Sequence, residues 1–227
     1  MDVVLKFVLC DEASKDIITI KGELYKYLIK VRRHKLDDEV DLRAKDNLSM
    51  LYKYKISSLD AKSLELTLVS SQMLEVKSKN YLHVAWCVID VKSIEKVLPM
   101  LNELGVSRVS FVYCDRSQRN IKLDFVRFER ILIASMQQCG RSDMMELDEY
   151  KNIKEFLHEF SDVVVFDFCK NPLAFDADFK RVLIGCEGGF SQNEREMLLS
   201  QKSFMLDTPM VLRSESAVVA ISSKMLL

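Results

Sequence analysis

The segment VLIGCEGGFSQNE (182–194) decides how this chain is read. Val182, Leu183 and Ile184 form a short apolar run of the kind that makes a strand buried on both faces. Gly185, Gly188 and Gly189 follow, and glycine lets backbone N–H groups approach a ligand or take positive φ. Ser191 then stands three residues before Glu194, the pattern by which a helix caps its own first turn. Strand, glycine turn and helix are parts of an open α/β sheet, where ligands settle at the carboxyl ends of strands. The spacing G-x-x-G-G matches neither the dinucleotide fingerprint nor a P-loop. Glu187 also places a carboxylate before the helix, which repels phosphate and suits a ligand carrying positive charge. A tight turn without a ligand is the alternative.

Working outward, the same alternation recurs. YLHVAWCVI (81–89) is a nearly continuous apolar strand, and residues 93–105 read as a helix closed by Gly105. SRVSFVYC (107–114), VVVFDFC (163–169) and RVLIGC (181–186) are further buried strands. Helices are predicted over 124–139, 192–200 and 215–226, with Phe128, Ile131, Leu132 and Ser135 on the inner face of the first. Strands alternating with helices predict a parallel sheet. Residues 1–72 differ. Val3–Leu9, ITIKGE (18–23) and SLELTLV (63–69) read as short strands, LEVKS (74–78) as a segment of similar alternation, and 23–33 as a helix. Two domains are therefore expected, 1–72 a small barrel and 73–227 an α/β domain.

Hydrophobic residues make up 48% and charged residues 30% of the 227, which implies a packed core and excludes a disordered chain. No apolar run approaches the roughly 20 residues that span a bilayer, and MDVVLKFVLCDEAS makes a poor signal peptide, so no membrane partner and a cytoplasmic location are expected. Six cysteines lack C-x-x-C spacing and the histidines are only His34, His83 and His158, so no metal is expected. Scattered thiols fit a reducing compartment.

A net charge of −1 puts any nucleic-acid contact on local patches. KYLIKVRRHK (26–35) carries five Lys or Arg residues, among them Lys30, Arg32 and Arg33, and no acid. The segment 114–143 carries Arg116, Arg119, Lys122, Arg127, Arg130 and Arg141, and its 116–122 loop follows a strand. A solvated face is the plain reading, and contact with RNA phosphate the sharper one. In MLDTPMVLRSESA (205–217) a short apolar strand, MVL, is expected before Arg213. Arg213 either pairs with Glu215 or shares a substrate with it.

Four segments in order resemble the bacterial ribosomal RNA small subunit methyltransferase E family of the SPOUT superfamily: YLIKVRRHKLDDEV (27–40), NELGV (102–106), IASMQQCGRS (133–142) and LIGCEGGFS…VLRSESA (183–217). The resemblance spans nearly the whole chain, and its last three motifs together are highly specific. It implies a PUA-like β-barrel followed by an α/β domain with a deep trefoil knot over about 181–227, one of the rare exceptions to unknotted chains. It implies a homodimer with active sites at the interface. The implied activity is S-adenosylmethionine-dependent methylation of N3 of a uridine in small-subunit (16S) ribosomal RNA, free or within the assembled 30S subunit. By matching positions, Leu183, Ile184, Gly185, Glu187, Gly188, Gly189, Leu206, Val211 and Leu212 would line the donor pocket. Arg213 and Glu215 fall on the Leu-Arg-x-Glu element as catalytic candidates, and Gln138 joins the basic residues as an RNA contact.

The chain departs from the family where Cys186 replaces a proline, Gln137 a glutamate, and Met100 or Leu101 a lysine. Two rivals remain open at this point. One is a related enzyme acting on a ribose 2′-OH or on transfer RNA. The other is a non-catalytic RNA-binding protein of the same fold.

Overall fold

The computed structural model describes residues 6–118, 120–173 and 179–227. The chain divides into two compact units, Met1–Lys77 with Met136–Asp143, and Ser78–Ser135 with Met144–Leu227. The sequence reading keeps 136–143 with the second unit.

The first unit contains β1 (Val8–Leu9), β2 (Ile17–Lys21), α1 (Gly22–Lys26), β3 (Glu39–Ala44), β4 (Asn47–Leu59) and β5 (Ser63–Met73). They form one five-stranded sheet in the order β1-β3-β4-β5-β2, antiparallel except for β1 against β3. Strand β2 alternates exposed and buried residues, placing Ile18 and Ile20 on a core with Leu28, Leu42, Tyr54, Ile56 and Leu66. The expected strand over 18–23 stops at Lys21 because Gly22 turns at φ 66°. The expected helix over 23–33 runs as α1 and then as a π-helical stretch, Tyr27–Val31. LEVKS forms no strand; of the Val3–Leu9 expectation, Val8–Leu9 is a strand and residues 3–5 lie outside the described residues.

The second unit contains β6 (His83–Cys87), α2 (Val91–Leu104), β7 (Arg108–Val112), most of α3 (Phe125–Cys139), β8 (Glu146–Tyr150), α4 (Ile153–Glu159), β9 (Val164–Phe166), β10 (Arg181–Ile184), α5 (Gln192–Met197), β11 (Ser203–Phe204) and α6 (Ser214–Leu226). Its six strands are all parallel, in the order β11-β9-β10-β6-β7-β8. Every residue of β6 is buried, as its unbroken apolar run requires. Asp90 accepts the N–H of Ser93 to start α2, and Gly105 in the left-handed region ends it. The chain steps outward through β7 and β8, then returns to the other side of β6. The strand order therefore reverses beside β6 and β10, where an open sheet leaves a crevice at its carboxyl edge.

The largest buried side chains, among them Trp86, Phe111, Phe128, Phe156 and Phe190, fill this unit. Each apolar side chain so buried contributes about 1.5–3 kcal/mol. Polar groups are buried with them, His83 among these. Arg181 donates through Nε to His83 Nδ1 at 2.8 Å, and a guanidinium can only donate. His83 is therefore neutral, with its proton on Nε2 directed at Ser110 Oγ, 2.7 Å away. Burial first, then the charges of Arg181 and Arg108, lower its pKa from 6.5 to about 3. The unfolded chain thus binds this proton more readily than the folded one. The stability tied to a neutral His83 is complete above about pH 6.5 and drains as pH falls toward 3. At pH 5 the loss is about 2 kcal/mol. Denaturant titrations of wild type and His83→Gln at pH 7 and pH 5 will show a smaller drop in the variant. Equal drops would exclude His83 as the source.

Candidate active site

Strand β10 delivers Ile184 and Gly185 to the carboxyl edge, and Cys186–Gly189 fold into a turn closed by the N–H of Gly189 on the carbonyl of Cys186 at 2.9 Å. Gly189 takes φ 64°, which favours glycine. Gly185 is held to glycine by space, since a Cβ there would meet Gly189 Cα at 3.3 Å and the Phe190 ring at 3.5 Å. Ser191 then opens α5 with the complete capping box foreseen from Ser-x-x-Glu.

The neighbouring loop after β7 is stitched to this turn. Arg116 Nη1 donates to the Gly188 carbonyl at 2.6 Å, and its side-chain carbons lie 3.2 Å from where a Gly188 Cβ would stand. Asp115 donates its N–H to Glu194 Oε1 at 2.8 Å and accepts from Ser191 Oγ. Cys114 Sγ lies 3.4 Å from Cys186 Sγ. On the other side of the turn, Ser214 accepts from Trp86 Nε1 at 2.8 Å and donates to the Gly185 carbonyl at 2.6 Å, fixing the start of α6 against β6 and β10.

Between the glycine turn and the segment 205–212 lies a cavity of about 320 Å³. Ile184, Gly185, Glu187, Gly189, Leu206, Val211 and Leu212, all named from the sequence, line it. Leu183 and Gly188 do not. Leu183 is fully buried within the sheet, and Gly188 sits under Arg116. The expected strand MVL does not form. Pro209 has no N–H to give a ladder, Thr208 donates its N–H to Leu206, and Met210 donates its N–H to Thr208 Oγ1, so the segment runs as an irregular strap.

The sequence reading missed the wall supplied by Phe166, Asp167 and Phe168 at the end of β9. An acid directly after a buried strand was the available signal. Arg195 clamps Asp167 with both terminal nitrogens, at 2.6 and 3.1 Å, and donates through Nε to the Phe190 carbonyl. Among the described residues the lining thus includes the carboxylates of Asp167 and Glu187 and no Lys or Arg.

Arg213 and Glu215 flank Ser214, which does line the cavity, but neither lines it themselves. Arg213 is 82% exposed, 3.8 Å from Glu215 Oε1. Glu215 is mostly covered, and its Oε2 is buried without a hydrogen-bond partner among the described residues.

The basic candidates divide. Lys30 and Arg33 are exposed, and Arg32 bonds the Tyr27 hydroxyl while its guanidinium lies over the Tyr27 ring. Lys122, Arg130 and Gln138 are exposed, and Arg127 pairs with Glu95. Arg141 differs from the expectation of a surface cation: it is buried and paired with Asp143. Arg116 is committed to Gly188, and Arg119 lies outside the described residues. Gln137 Oε1 accepts the N–H of Leu9 at 2.9 Å, a task that a glutamate oxygen performs equally. No cluster of three or more His, Cys, Asp or Glu among the described residues is arranged to hold a metal ion.

The profile of the RNA methyltransferase domain matches residues 76–226. Ribosomal RNA small subunit methyltransferase E of Helicobacter pylori is 42% identical over 224 residues, covering 96% of this chain and 98% of that protein. The protein of the same name from Aquifex aeolicus is 25% identical, covering 91% and 92%. Among solved structures, a putative methyltransferase from Legionella pneumophila with bound SAM superposes with a TM-score of 0.79 at 21% identity, covering 96% of this chain and 95% of that one. The small subunit methyltransferase E of Neisseria gonorrhoeae bound to S-adenosyl methionine gives 0.78 at 16% identity, covering 97% and 96%. A parallel α/β unit whose carboxyl edge carries a glycine-turn cavity, with relatives of one name matching from end to end, places the chain: it belongs to the ribosomal RNA small subunit methyltransferase E family.

Proposed function

We propose that this chain transfers a methyl group from S-adenosylmethionine to N3 of a uridine in small-subunit (16S) ribosomal RNA. The observation that carries the reading is the cavity where the glycine turn and the 205–212 strap meet at the sheet's carboxyl edge. Its size falls within the range of small-molecule sites. Asp167 is already matched by Arg195, and the Glu187 carboxylate in the lining favours a positively charged donor over a phosphorylated one. When bound there, the donor supplies an electrophilic methyl on a sulfonium. Glu187 and the backbone of Gly185 and Gly189 orient it, and Leu206 and Leu212 exclude water.

Uridine N3 is a weak nucleophile until its imide proton leaves. Arg213, exposed beside the cavity, stabilises negative charge on the uracil O2 or O4 as that proton departs. Glu215, whose Oε1 lies 3.8 Å from Arg213, accepts the proton. The N3–C bond forms as the S–C bond breaks, with the target base splayed from its stack. Lys30, Arg32, Arg33, Lys122, Arg130 and Gln138 contact the RNA, the cations through its phosphates. Residues 1–72 act as a PUA-like RNA-binding module and 73–227 carry the transfer. Residues 181–227 form the trefoil knot. What supports the knot is the chain's path: from central β10 to β11 at the sheet edge, then back to α6, which packs against β10 and β6. The enzyme acts as a cytoplasmic homodimer.

The test is to incubate the purified protein with donor carrying a labelled methyl and small subunits that lack the modification, then digest to nucleosides. Label in 3-methyluridine is the expected result. Label on a ribose or only in transfer RNA would overturn the substrate assignment, and no donor binding by calorimetry would identify a non-catalytic RNA-binding protein.

A further inference from the structure

Three neighbouring strands, β10, β6 and β7, each bring a thiol to the carboxyl edge of the sheet: Cys186 after β10, Cys87 at the end of β6, and Cys114 after β7. Cys87 is fully buried and Cys114 is 9% exposed. Cys186 is also buried, and it lines the cavity, which brings a small solute up to this pair of thiols. Its Sγ stands 3.4 Å from Cys114 Sγ. A disulfide needs about 2.05 Å, so the sulfurs must close by about 1.4 Å. Both residues sit in loops rather than in strands, which leaves room for that movement. The hydroxyl of Ser117 lies 3.2 Å from Cys114 Sγ, placed to favour its thiolate form.

We propose that Cys114 and Cys186 form a reversible disulfide, driven by hydrogen peroxide, that distorts the glycine turn and lowers affinity for the methyl donor. This effect rests on the donor occupying the cavity as proposed above. Peroxide enters by the cavity wall at Cys186 and reacts with the neighbouring Cys114 thiolate. An S–O bond forms, the O–O bond breaks, and one water leaves behind a sulfenic acid. Cys186 then attacks that sulfur, forming the S–S bond as its thiol proton and the hydroxyl leave together as a second water. Two thiols are oxidised, one peroxide is reduced, and a dithiol reverses the change. The consequence for the site follows from the wiring of the turn. The Cys186 carbonyl holds the Gly189 N–H, and the Gly188 carbonyl holds Arg116 of the Cys114 loop. Drawing the sulfurs together therefore shifts backbone that lines the cavity.

The experiment treats full-length protein with one equivalent of hydrogen peroxide, alkylates free thiols and maps digested peptides by mass spectrometry. In parallel, donor affinity is read by calorimetry before oxidation, after it, and after dithiothreitol. A peptide pair joined through Cys114 and Cys186 is expected, with affinity falling at least ~10-fold and recovering on reduction. Cys114→Ala, which removes no cavity-lining side chain, will bind donor before oxidation and keep that affinity afterwards. Absence of the joined peptide in wild type overturns the proposal, as does a joined peptide with unchanged affinity. Saturating donor will slow cross-linking by covering Cys186. A cross-link that forms at the same rate with and without donor would instead remove the donor from this cavity and leave the disulfide standing.

Discussion

Arg213→Ala lowers single-turnover methyl transfer by at least ~10²-fold while leaving the fold and donor affinity unchanged. The three parts of that result have separate causes. Arg213 is 82% exposed and makes one loose ion pair of 3.8 Å, a contact worth well under about 1 kcal/mol, so the thermal midpoint should not move. It does not line the cavity, so calorimetry should return the wild-type donor affinity. It stands beside Ser214 at the start of α6, one residue from the cavity wall on either side, where a base presented to the methyl group would lie against it. A cation at that place acts on charge that develops only as the proton leaves N3, and such an interaction raises the rate without tightening the ground state. Arg213→Lys retains the charge but loses the planar fork, and should recover part of the rate. Purified small subunits lacking the modification are the substrate to use. Wild-type turnover in Arg213→Ala would remove this residue from the chemistry, and another donor would have to serve the uracil oxygens.

What the sequence made legible was local or periodic. The capping box of Ser191 and Glu194 needs only four consecutive residues, and it is present in full. The buried strands β6 and β10 announced themselves because a strand covered on both faces has no polar side to interrupt its apolar run. Gly105 was readable as a cap because its left-handed φ follows directly on the helix end. Strand β8 escaped for the opposite reason. It is an edge strand, and three of the five residues in ELDEY are acids, two of them turned toward Arg108 of β7, so no apolar run marks it although Leu147 and Tyr150 reach the core. The strap over 205–212 resembled a strand in composition, yet Pro209 and the Thr208 turn forbid a ladder. Within the site, the glycine turn and Leu206, Val211 and Leu212 were legible as separate pieces. That they face each other across one cavity depends on strands far apart in the chain. The roles of Arg116 on Gly188, of Arg141 with Asp143, and of the thiols at Cys114 and Cys186 were illegible for the same reason. Each is defined by a partner whose position only the fold supplies.

Glu194 combines both kinds of information, and its removal should be the costliest single change near the site. Its side chain is 2% exposed. Oε2 accepts the N–H of Ser191, the local half of the capping box, at 2.8 Å. Oε1 accepts the N–H of Asp115, from the loop after β7, also at 2.8 Å. Truncation to alanine leaves both N–H groups without their acceptor, at about 1–3 kcal/mol each. A total loss of roughly 2–6 kcal/mol follows, which for a chain of this size lowers the melting temperature by roughly 4–24 °C. Glu194→Gln keeps one acceptor oxygen but turns an amide N–H₂ toward the other donor, so it should recover less than half of the loss. Asp115→Ala provides the control. It removes the carboxylate that bonds Ser191 Oγ but keeps the Asp115 N–H on Glu194, and should cost less than about 1 kcal/mol. Because the Glu194 carboxylate ties the glycine-turn helix to the Cys114 loop, donor affinity should fall with stability in Glu194→Ala and stay near wild type in Asp115→Ala. Denaturant titration and calorimetry on the three variants decide the matter. If Glu194→Ala unfolds within about 0.5 kcal/mol of wild type, the two loops are held together by something other than this carboxylate.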